Sequence, residues 1–278
     1  MLLEGHYTYS FDPQKPLGSG PFGKTYVGHC TQTGQQVRIR FRNDHWKPPL
    51  VLPESLQPPL REVLTLHNGV VVVIESFVEG QDLKSFLAQS GRPLQVSQAL
   101  LLASGLCQHL QRFHELNWVH GDLKPSNILI PSHGGLQDAC LIDFDSAAPS
   151  GKRFAPYSFV YAPPELLLNH KDLYGPHGDL FSLAVVLWEA LTGEPFLQAS
   201  HPAILFQMQI SRPMPAHPRI PPPLLKVLQK AASIAAFGRP PQMLDPFQVR
   251  QALRMAISHR YHQASYLLQD LFQAIGET

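Results

Sequence analysis

The sequence is poor in charge and in cysteine, and it contains no long hydrophobic run. Charged residues make up 15% of the 278 residues, below the roughly 25% of an average globular protein. The 22 Lys and Arg residues against 21 Asp and Glu residues leave a net charge of +1, which argues against a general surface for nucleic acid or anionic membranes. No stretch reaches the ~18 apolar residues that span a bilayer. We therefore expect no nucleic-acid partner and no membrane span.

Cysteine occurs only at positions 30, 107 and 140. An odd number at wide spacing forms neither a disulfide framework nor a zinc pattern, which favours a reducing compartment. The first residues also lack the charged and apolar regions of a secretion signal. The sequence thus predicts a cytoplasmic protein of undefined oligomeric state.

The organisation of the chain changes about a third of the way along. Before Gly80, short apolar runs flank turns, and Asn68-Gly69 between two such runs is a hairpin signal in which both residues take positive φ. Beyond Gly80, apolar residues recur every three or four positions, which is typical of helices. We expect an α+β protein with a β-rich lobe at 1–80, a helical lobe at 81–256 and a helical extension at 257–278. A cleft between two such lobes is a usual place for a ligand.

Individual elements follow from the same patterns. Asp245-Pro246 is a good helix start, because aspartate caps helices and proline suits the first helical position. The predicted strands are 7–11, 25–28, 36–41, 60–66 and 70–74, and the predicted helices are 82–88, 95–116, 180–192 and 258–275.

Two acids and an amide lie on neighbouring predicted loops. Asp122, Lys124 and Asn127 belong to the segment HGDLKPSNIL, and Asp143 follows an apolar pair shortly afterwards. One carboxylate can orient an attacking hydroxyl, while the other, with the amide, can hold Mg²⁺ against phosphates. Lys124 can neutralise charge that develops on the transferred group. The alternative is a polar turn with incidental acids, against which the length of the combined pattern argues.

These residues resemble the eukaryotic-type protein kinase family, over about residues 11–256. The resemblance implies a bilobal kinase-like fold, ATP and Mg²⁺ as cofactors, and a protein substrate or protein partner. It makes Asp122 the catalytic base and Lys124 the lysine typical of serine/threonine kinases. It makes Asn127 and Asp143 the two metal ligands.

Further matches concern the larger lobe. Asp179 resembles the family's buried acid that braces the catalytic loop. Glu165 lies in a segment that resembles the end of the activation loop, and the resemblance pairs it with Arg239. Ser158 sits where the family has a threonine that contacts substrate.

The segment from Leu17 to Tyr26 resembles the family's glycine-rich loop. Absent side chains let backbone N–H groups approach phosphates. The resemblance gives the backbone of Glu75 and Phe77 contacts to the adenine edge. Ile74 is expected at the back of the pocket. The expected nucleotide-binding residues are Gly18, Gly20, Gly23, Thr25, Arg40, Glu75, Phe77 and, at the pocket floor, Leu129.

The smaller lobe departs from the family pattern in the strand at 36–41. Arg40 stands where the family has the lysine that holds the α- and β-phosphates, and arginine is not interchangeable with lysine at a tight site. Strand alternation places Arg38 on the same face, where the family has a small alanine, so its guanidinium would crowd or stack on the adenine. The alternative is that this strand lies elsewhere and its arginines are solvated. Lys24 is an alternative cation, expected to face outward.

The family's regulatory helix is expected to be missing or vestigial. Residues 43–59 carry five prolines, and an interior proline costs a helix ~3 kcal/mol. A short helix from Pro59 with Glu62 as its acid is one alternative. A strand over 60–66, paired through Asn68-Gly69, is favoured.

The resemblance implies ATP-dependent phosphoryl transfer to serine and threonine hydroxyls of proteins by a divergent kinase. One alternative is a pseudokinase that serves as a binding or scaffolding module, with weak or no ATP binding. Another is a small-molecule phosphotransferase, because His-Gly-Asp also opens the catalytic loop of antibiotic-kinase-like enzymes. Lys124, Glu165 and Arg239 argue against the last.

Overall fold

The computed structural model describes residues 1–20, 23–42, 60–152 and 158–276. The chain divides into two compact units, residues 1–79 and 80–278, which we call the β unit and the helical unit. The lobe boundary expected after residue 80 lies next to this division. The segment 43–59, where the regulatory helix is predicted to be missing, lies outside the described residues.

One antiparallel sheet forms the β unit. The strand order is β1-β2-β4-β5-β7-β6, and β3 pairs with β4. The strands are β1 (Leu2–Glu4), β2 (Thr8–Phe11), β3 (Gly18–Gly20), β4 (Gly23–Cys30), β5 (Gln36–Arg42), β6 (Leu60–Thr65) and β7 (Val71–Ser76).

The side chains of β5 alternate between an apolar face and a basic face of the sheet. Val37 and Ile39 are fully buried in the core of the unit. Successive side chains of a strand point to opposite faces, so Arg38, Arg40 and Arg42 lie on the other side. The apolar cluster consists of Leu3, Tyr9, Phe11, Tyr26, Cys30, Val37, Ile39, Val72 and Ile74.

The predicted hairpin joins β6 to β7, and residues 60–65 form a strand rather than a short helix. The Leu66 N–H donates to the Val70 carbonyl at 2.9 Å, and Gly69 has a φ of 81°. Asn68, however, is not in the left-handed region, so the expectation of two positive φ angles was wrong. The Asn68 side-chain oxygen accepts a hydrogen bond from the Val70 N–H at 3.1 Å, and this side-chain contact stabilises the turn.

The helical unit is built around one buried helix. Nearly every residue of Pro176–Thr192 is buried, and neighbouring helices pack on it. The helices are α1 (Leu83–Ser90), α2 (Val96–Glu115), α3 (Pro164–Leu167), α4 (Pro176–Thr192), α5 (Pro202–Ser211), α6 (Pro222–Ala231), α7 (Pro246–His259) and α8 (Ala264–Gly276). In these described helices, none combines the length and apolarity needed to cross a bilayer.

Short strands connect the functional loops of this unit. They form two small sheets, β11-β10-β8 and β12-β9. The loop between β9 and β10 carries the predicted catalytic residues. The strands are β8 (Gly80–Asp82), β9 (Trp118–Val119), β10 (Ile128–Pro131), β11 (Cys140–Leu141) and β12 (Ala148–Pro149).

The end of the chain differs from the prediction of a single helix over 258–275. Helix α7 starts at the predicted Asp245-Pro246 cap and runs to His259, so residue 257 lies inside it rather than at the start of an extension. Arg260 then adopts an extended backbone, with φ −77° and ψ 170°, because its side chain turns into the interior. Helix α8 packs against α2 and α6 and therefore belongs to the helical unit.

Candidate active site

A single buried carboxylate holds the loop that follows β9. Asp179, in the first turn of α4, accepts hydrogen bonds from the backbone N–H groups of His120 (2.8 Å) and Gly121 (2.9 Å). The Tyr174 hydroxyl donates to it at 2.8 Å, and His114 Nε2 lies 3.1 Å away. Gly121 has a φ of 80°, which glycine adopts without steric cost. The predicted bracing role of Asp179 thus rests on contacts with two consecutive peptides of the loop.

The contacts of Asp179 keep its side chain ionised. Burial acts to raise the pKa of this carboxyl, but the hydrogen bonds from His114 and from the Gly121 N–H outweigh it. The pKa falls to about 2. Neither His114 nor Tyr174 was identified from the sequence. The periodicity of α2 indicates which of its faces is buried, but it does not show that His114 contacts a residue of another helix.

Asp122 lies at the centre of a polar cluster. Its Oδ2 is 2.7 Å from Lys124 Nζ, and its Oδ1 accepts from the Ser158 N–H at 2.7 Å. Lys124 Nζ also donates to the Ser158 hydroxyl at 2.8 Å. The Asp122 and Lys124 side chains are 14% and 26% exposed, so both are partly accessible to solvent. The structure brings together a carboxylate, a cation and a loop hydroxyl that the sequence only places in order.

Asn127 and Asp143 lie on adjacent loops because β10 pairs with β11. The Ile142 N–H donates to the Asn127 carbonyl at 2.9 Å, one residue before Asp143. The Asn127 amide donates to the Asp122 backbone carbonyl at 2.8 Å. Its side-chain carbonyl oxygen is consequently the atom suited to a metal. Two oxygen ligands from neighbouring loops suit Mg²⁺, which keeps several waters and needs few protein groups.

His120 fixes the geometry between these loops, a role that the sequence pattern alone did not give it. Its Nε2 is 3.2 Å from the Ile142 carbonyl, and its Nδ1 accepts from the Asp122 N–H at 3.3 Å. A carbonyl only accepts, so Nε2 carries the proton and the ring is neutral. Burial lowers the pKa of this histidine, with nearby acids acting in the opposite direction. The ring also packs edge-on against Phe144, with centroids 5.4 Å apart.

The glycine-rich segment is a hairpin of β3 and β4 whose residues 21 and 22 lie outside the described residues. Gly18 pairs with Thr25 and Gly20 with Gly23. Gly23 has a φ of 132°, and a Cβ there would lie 1.8 Å from the Phe41 carbonyl oxygen. This position therefore requires glycine for packing within the sheet, whatever it binds.

Arg38 and Arg40 share one buried partner. Glu75 Oε2 accepts from Arg38 Nη2 at 2.6 Å and from its Nε at 3.0 Å, and Glu75 Oε1 accepts from Arg40 Nη2 at 2.8 Å. The arginine side chains are 17% and 6% exposed, so the alternative of solvated arginines was wrong. Lys24 is exposed, as predicted.

The strand register corrects the expected pocket residues. Arg38 lies opposite Glu75 and Arg40 opposite Val73, so Ile74 lies on the other face, within the apolar core. Ile74, which was expected at the back of the nucleotide pocket, is fully buried in this core.

The backbone groups of Glu75 and Phe77, which were expected to contact the adenine, have other neighbours in the structure. Glu75 lies inside the sheet, between Arg38 of β5 and Leu60 of β6, so its peptide groups face other strands. The Phe77 N–H donates to the Gln36 carbonyl at 3.2 Å. Leu129, the expected pocket floor, is buried in β10 between Asp82 and Cys140.

Glu165 pairs with Arg260 rather than with the predicted Arg239. Arg260 Nη1 donates to Glu165 Oε1 at 2.8 Å, both side chains are fully buried, and His177 Nε2 lies 3.4 Å from the same oxygen. Arg239 is exposed. Burial acts to raise the pKa of Glu165, but the charge of Arg260 and the contact with His177 lower it to about 2. Arg260 also donates to the Ser233 carbonyl, which fixes the break between α7 and α8.

A comparison with protein families finds a match that includes most of the helical unit. A family model described as "Protein kinase domain" matches residues 59–244, which is most of the chain. The match begins after β5, so Arg38, Arg40 and the glycine-rich hairpin lie outside it.

Several relatives are serine/threonine-protein kinases. Serine/threonine-protein kinase pim-2 of Danio rerio is 29% identical over 227 residues, which cover 69% of this chain and 71% of the relative. Serine/threonine-protein kinase D2 of Rattus norvegicus is 29% identical, covering 66% of this chain and 23% of the relative. Serine/threonine-protein kinase Pkn1 of Myxococcus xanthus is 27% identical, covering 88% and 40%. For each of the last two relatives, the aligned region covers less than half of the relative's length.

The matched model and the two units agree with the predicted α+β fold, in which a β-rich part precedes a larger helical part. Together with the relatives, they support a protein serine/threonine kinase. The chain belongs to the protein kinase domain family.

Proposed function

We propose that this protein transfers the γ-phosphoryl group of ATP to serine or threonine hydroxyls of protein substrates, with Mg²⁺ as the metal cofactor. The observation that carries the proposal is the cluster of Asp122, Lys124 and Ser158, joined by contacts of 2.7–2.8 Å. The protein kinase relatives favour this reaction over transfer to a small molecule. The three widely spaced cysteines are consistent with a reducing, cytoplasmic setting.

In this proposal Asp122 orients the substrate hydroxyl and accepts its proton. A carboxylate performs this task when it is held within hydrogen-bond reach of the reacting group. The Ser158 N–H and Lys124 fix both of its oxygens, so the carboxylate is positioned before substrate arrives. Lys124 lies beside it and neutralises charge that develops on the transferred group.

Asn127 and Asp143 are the proposed metal ligands. The amide of Asn127 is oriented by its bond to the Asp122 backbone, which directs its carbonyl oxygen to a cation. Bound Mg²⁺ would neutralise phosphate oxygens during transfer. For the phosphates, the proposed contacts are Gly18, Gly20, Gly23, Thr25 and Arg40. Leu129 is a proposed contact of the adenine.

The test is Asp122→Asn in a radiolabel transfer assay with ATP and Mg²⁺. We expect transfer to a protein substrate to fall by about 10²–10⁴, the usual contribution of a general base, while thermal unfolding stays close to that of the wild type. Glu194→Gln is the matched control, because this acid of the same unit is 64% exposed. Transfer by Asp122→Asn at the wild-type rate would remove Asp122 from the reaction.

A second candidate function is a binding module that transfers no phosphate. It is favoured by one observation, the engagement of Arg38 and Arg40 by Glu75, which occupies the cation proposed for phosphate. Thermal unfolding with and without ATP and Mg²⁺ separates the candidates. No shift with nucleotide, together with no transfer, would favour the binding module.

A further inference from the structure

One buried glutamine of α5 holds the backbone turn formed by residues 158–162. Gln209 is 2% exposed, and its Nε2 donates to the Val160 carbonyl and to the Ala162 carbonyl, each at 2.8 Å. Among the described residues, its Oε1 has no hydrogen-bond donor. In this part of the chain, the polar contacts of the side chain are thus directed at two peptides of one turn.

The other end of this turn lies in the polar cluster of the candidate active site. The Ser158 carbonyl accepts from the Tyr161 N–H and from the Ala162 N–H, each at 3.1 Å. Ser158 also donates its own N–H to Asp122, and its hydroxyl accepts from Lys124. One short turn within the helical unit therefore connects the buried glutamine to the carboxylate that is proposed as the catalytic base.

Helix α4 holds the middle of the same turn. The Ser182 hydroxyl donates to the Tyr161 carbonyl at 2.8 Å, and the Tyr161 hydroxyl donates to Glu189 at 2.8 Å. The three consecutive carbonyls of residues 160–162 are thus all engaged by side chains of two helices. Of these three contacts, α5 supplies two, and both come from Gln209.

The two contacts from α5 depend on the chemistry of the side-chain amide. Glutamine presents two N–H donors on one nitrogen, so one side chain can satisfy two carbonyls. A carboxylate only accepts, and an apolar side chain of the same length does not donate. Buried carbonyls that lose a donor carry a free-energy penalty, so loss of the amide should release the turn from α5.

We propose that Gln209 is a positioning residue that fixes the turn 158–162 and thereby holds Ser158 beside Asp122 for the reaction with a protein substrate. The inference rests on the proposed function, which gives Asp122 and Ser158 their place in transfer. Gln209 acts through the backbone of the turn rather than on the reacting groups, and it extends the site to α5.

The first experiment compares the transfer kinetics of wild type and Gln209→Met, with casein as the acceptor protein. Methionine keeps the length of the side chain and removes the donor. We expect kcat/KM for casein to fall by at least about tenfold, because Ser158 and Asp122 lose their fixed geometry. The KM for ATP should stay within about twofold of the wild-type value, since the substitution acts on the turn.

Gln207→Met is the matched control. It makes the same change on the same helix at an exposed position, and both kinetic constants should stay at the wild-type values. If the KM for ATP rose in parallel with the loss of kcat/KM in Gln209→Met, the damage would be general, and a positioning role would be overturned.

Hydrogen exchange tests the same contacts without any transfer. The N–H groups of Ser158, Tyr161 and Ala162 all donate within the site or the turn, so they exchange slowly while the turn is held. We expect exchange at least about tenfold faster in Gln209→Met, and at the wild-type rate in Gln207→Met. Unchanged exchange in α4 shows that the variants are folded. Gln209→Leu, with a shorter apolar side chain, gives the same comparison if methionine disturbs the packing of α5.

The outcomes separate this inference from the proposed function. Wild-type exchange of the turn in both Gln209 variants would overturn the inference, even if the wild type transfers phosphate. Faster exchange of the turn with an unchanged kcat/KM would also overturn it, because transfer would not depend on the held turn. Faster exchange in a protein whose wild type transfers no phosphate would support the hold of Gln209 on the turn and contradict the proposed transfer.

Discussion

The helical unit and the β unit each bury a carboxylate, but the partners differ in kind. Asp179 accepts from two backbone N–H groups and a tyrosine hydroxyl, all of which belong to the fold. Glu75 binds two arginines, of which Arg40 stands where the family has its phosphate-binding lysine and Arg38 stands where it has a small alanine. Buried charges must be paired, and a group that satisfies one is less available to a ligand. In the helical unit the pairing supports the loop that carries the proposed catalytic residues, and in the β unit it engages the arginine that was expected to contact phosphate.

The difference shows why the proposed catalytic residues do not by themselves predict nucleotide binding. Asp122, Lys124 and Asn127 form one connected cluster within the helical unit. The family model matches residues 59–244, which include β6, β7 and most of the helical unit, and it omits β1 to β5. The proposed transfer needs a bound nucleotide as well as the catalytic cluster, so the presence of the cluster alone does not predict activity.

The largest effect is expected at the buried pair of the helical unit. Glu165→Ala leaves Arg260 buried without its carboxylate, which should lower the free energy of unfolding by about 3–5 kcal/mol. Arg260→Ala should have a similar effect, and the double variant should cost less than the sum. ATP affinity should not change, because the pair braces α3 against the segment between α7 and α8. Denaturant unfolding of the four proteins measures these values.

Arg239→Ala is the control for that pair. Arg239 is exposed, so its loss should change the free energy of unfolding by less than about 0.5 kcal/mol. If Arg239→Ala were the damaging change and Arg260→Ala the harmless one, the pairing in the helical unit would be refuted.

Acid pH should weaken the helical unit through the same carboxylate. The pKa of Glu165 is lowered from its ordinary value of 4.5 to about 2 in the folded protein. The unfolded chain therefore takes up the proton first as the pH falls. The stability from this group is complete above pH 4.5 and lost as the pH approaches about 2, a change of roughly 3 kcal/mol. Asp179 acts in the same direction.

Unfolding of wild type and Glu165→Gln across this pH range measures the contribution. Glutamine does not titrate, so the stability of the variant should fall less steeply with acid. Parallel pH profiles for the two proteins would show that Glu165 is not the group responsible.

Local sequence patterns were sufficient to predict the main strands of the β unit and the helices α1, α2 and α4, because neighbouring residues determine these elements. The alternation in β5, the Asp245-Pro246 cap of α7 and the apolar face of α2 lie where the sequence places them. The segment 120–129 also indicated the polar cluster, because Asp122, Lys124 and Asn127 are close in the chain, whereas Ser158 was linked to the site only by the family resemblance.

The contacts that were missed depend on long-range register. Both Ile74 and Glu75 are compatible with a strand, and only the pairing of β5 with β7 decides which one faces Arg40. Arg239 and Arg260 both follow helical segments, and only the packing of α7 and α8 decides which one turns inward. A shift of one residue, or a turn of the chain between helices, is not visible in local propensity.

The smallest effect is expected for the ATP affinity of Arg40→Ala. It tests whether Glu75 and the nucleotide compete for this arginine. If Glu75 already engages this arginine, Arg40→Ala in the wild-type background should weaken ATP binding by less than about threefold, because the lost cation was largely neutralised. In the Glu75→Gln background the same substitution should cost about tenfold, or 1.4 kcal/mol, since the phosphates would then lose an available partner. Arg40→Lys should stay close to the parent in both backgrounds, because charge is the shared property. Titration calorimetry gives the four affinities of the cycle, and equal losses in the two backgrounds would mean that Glu75 and the nucleotide do not compete for Arg40.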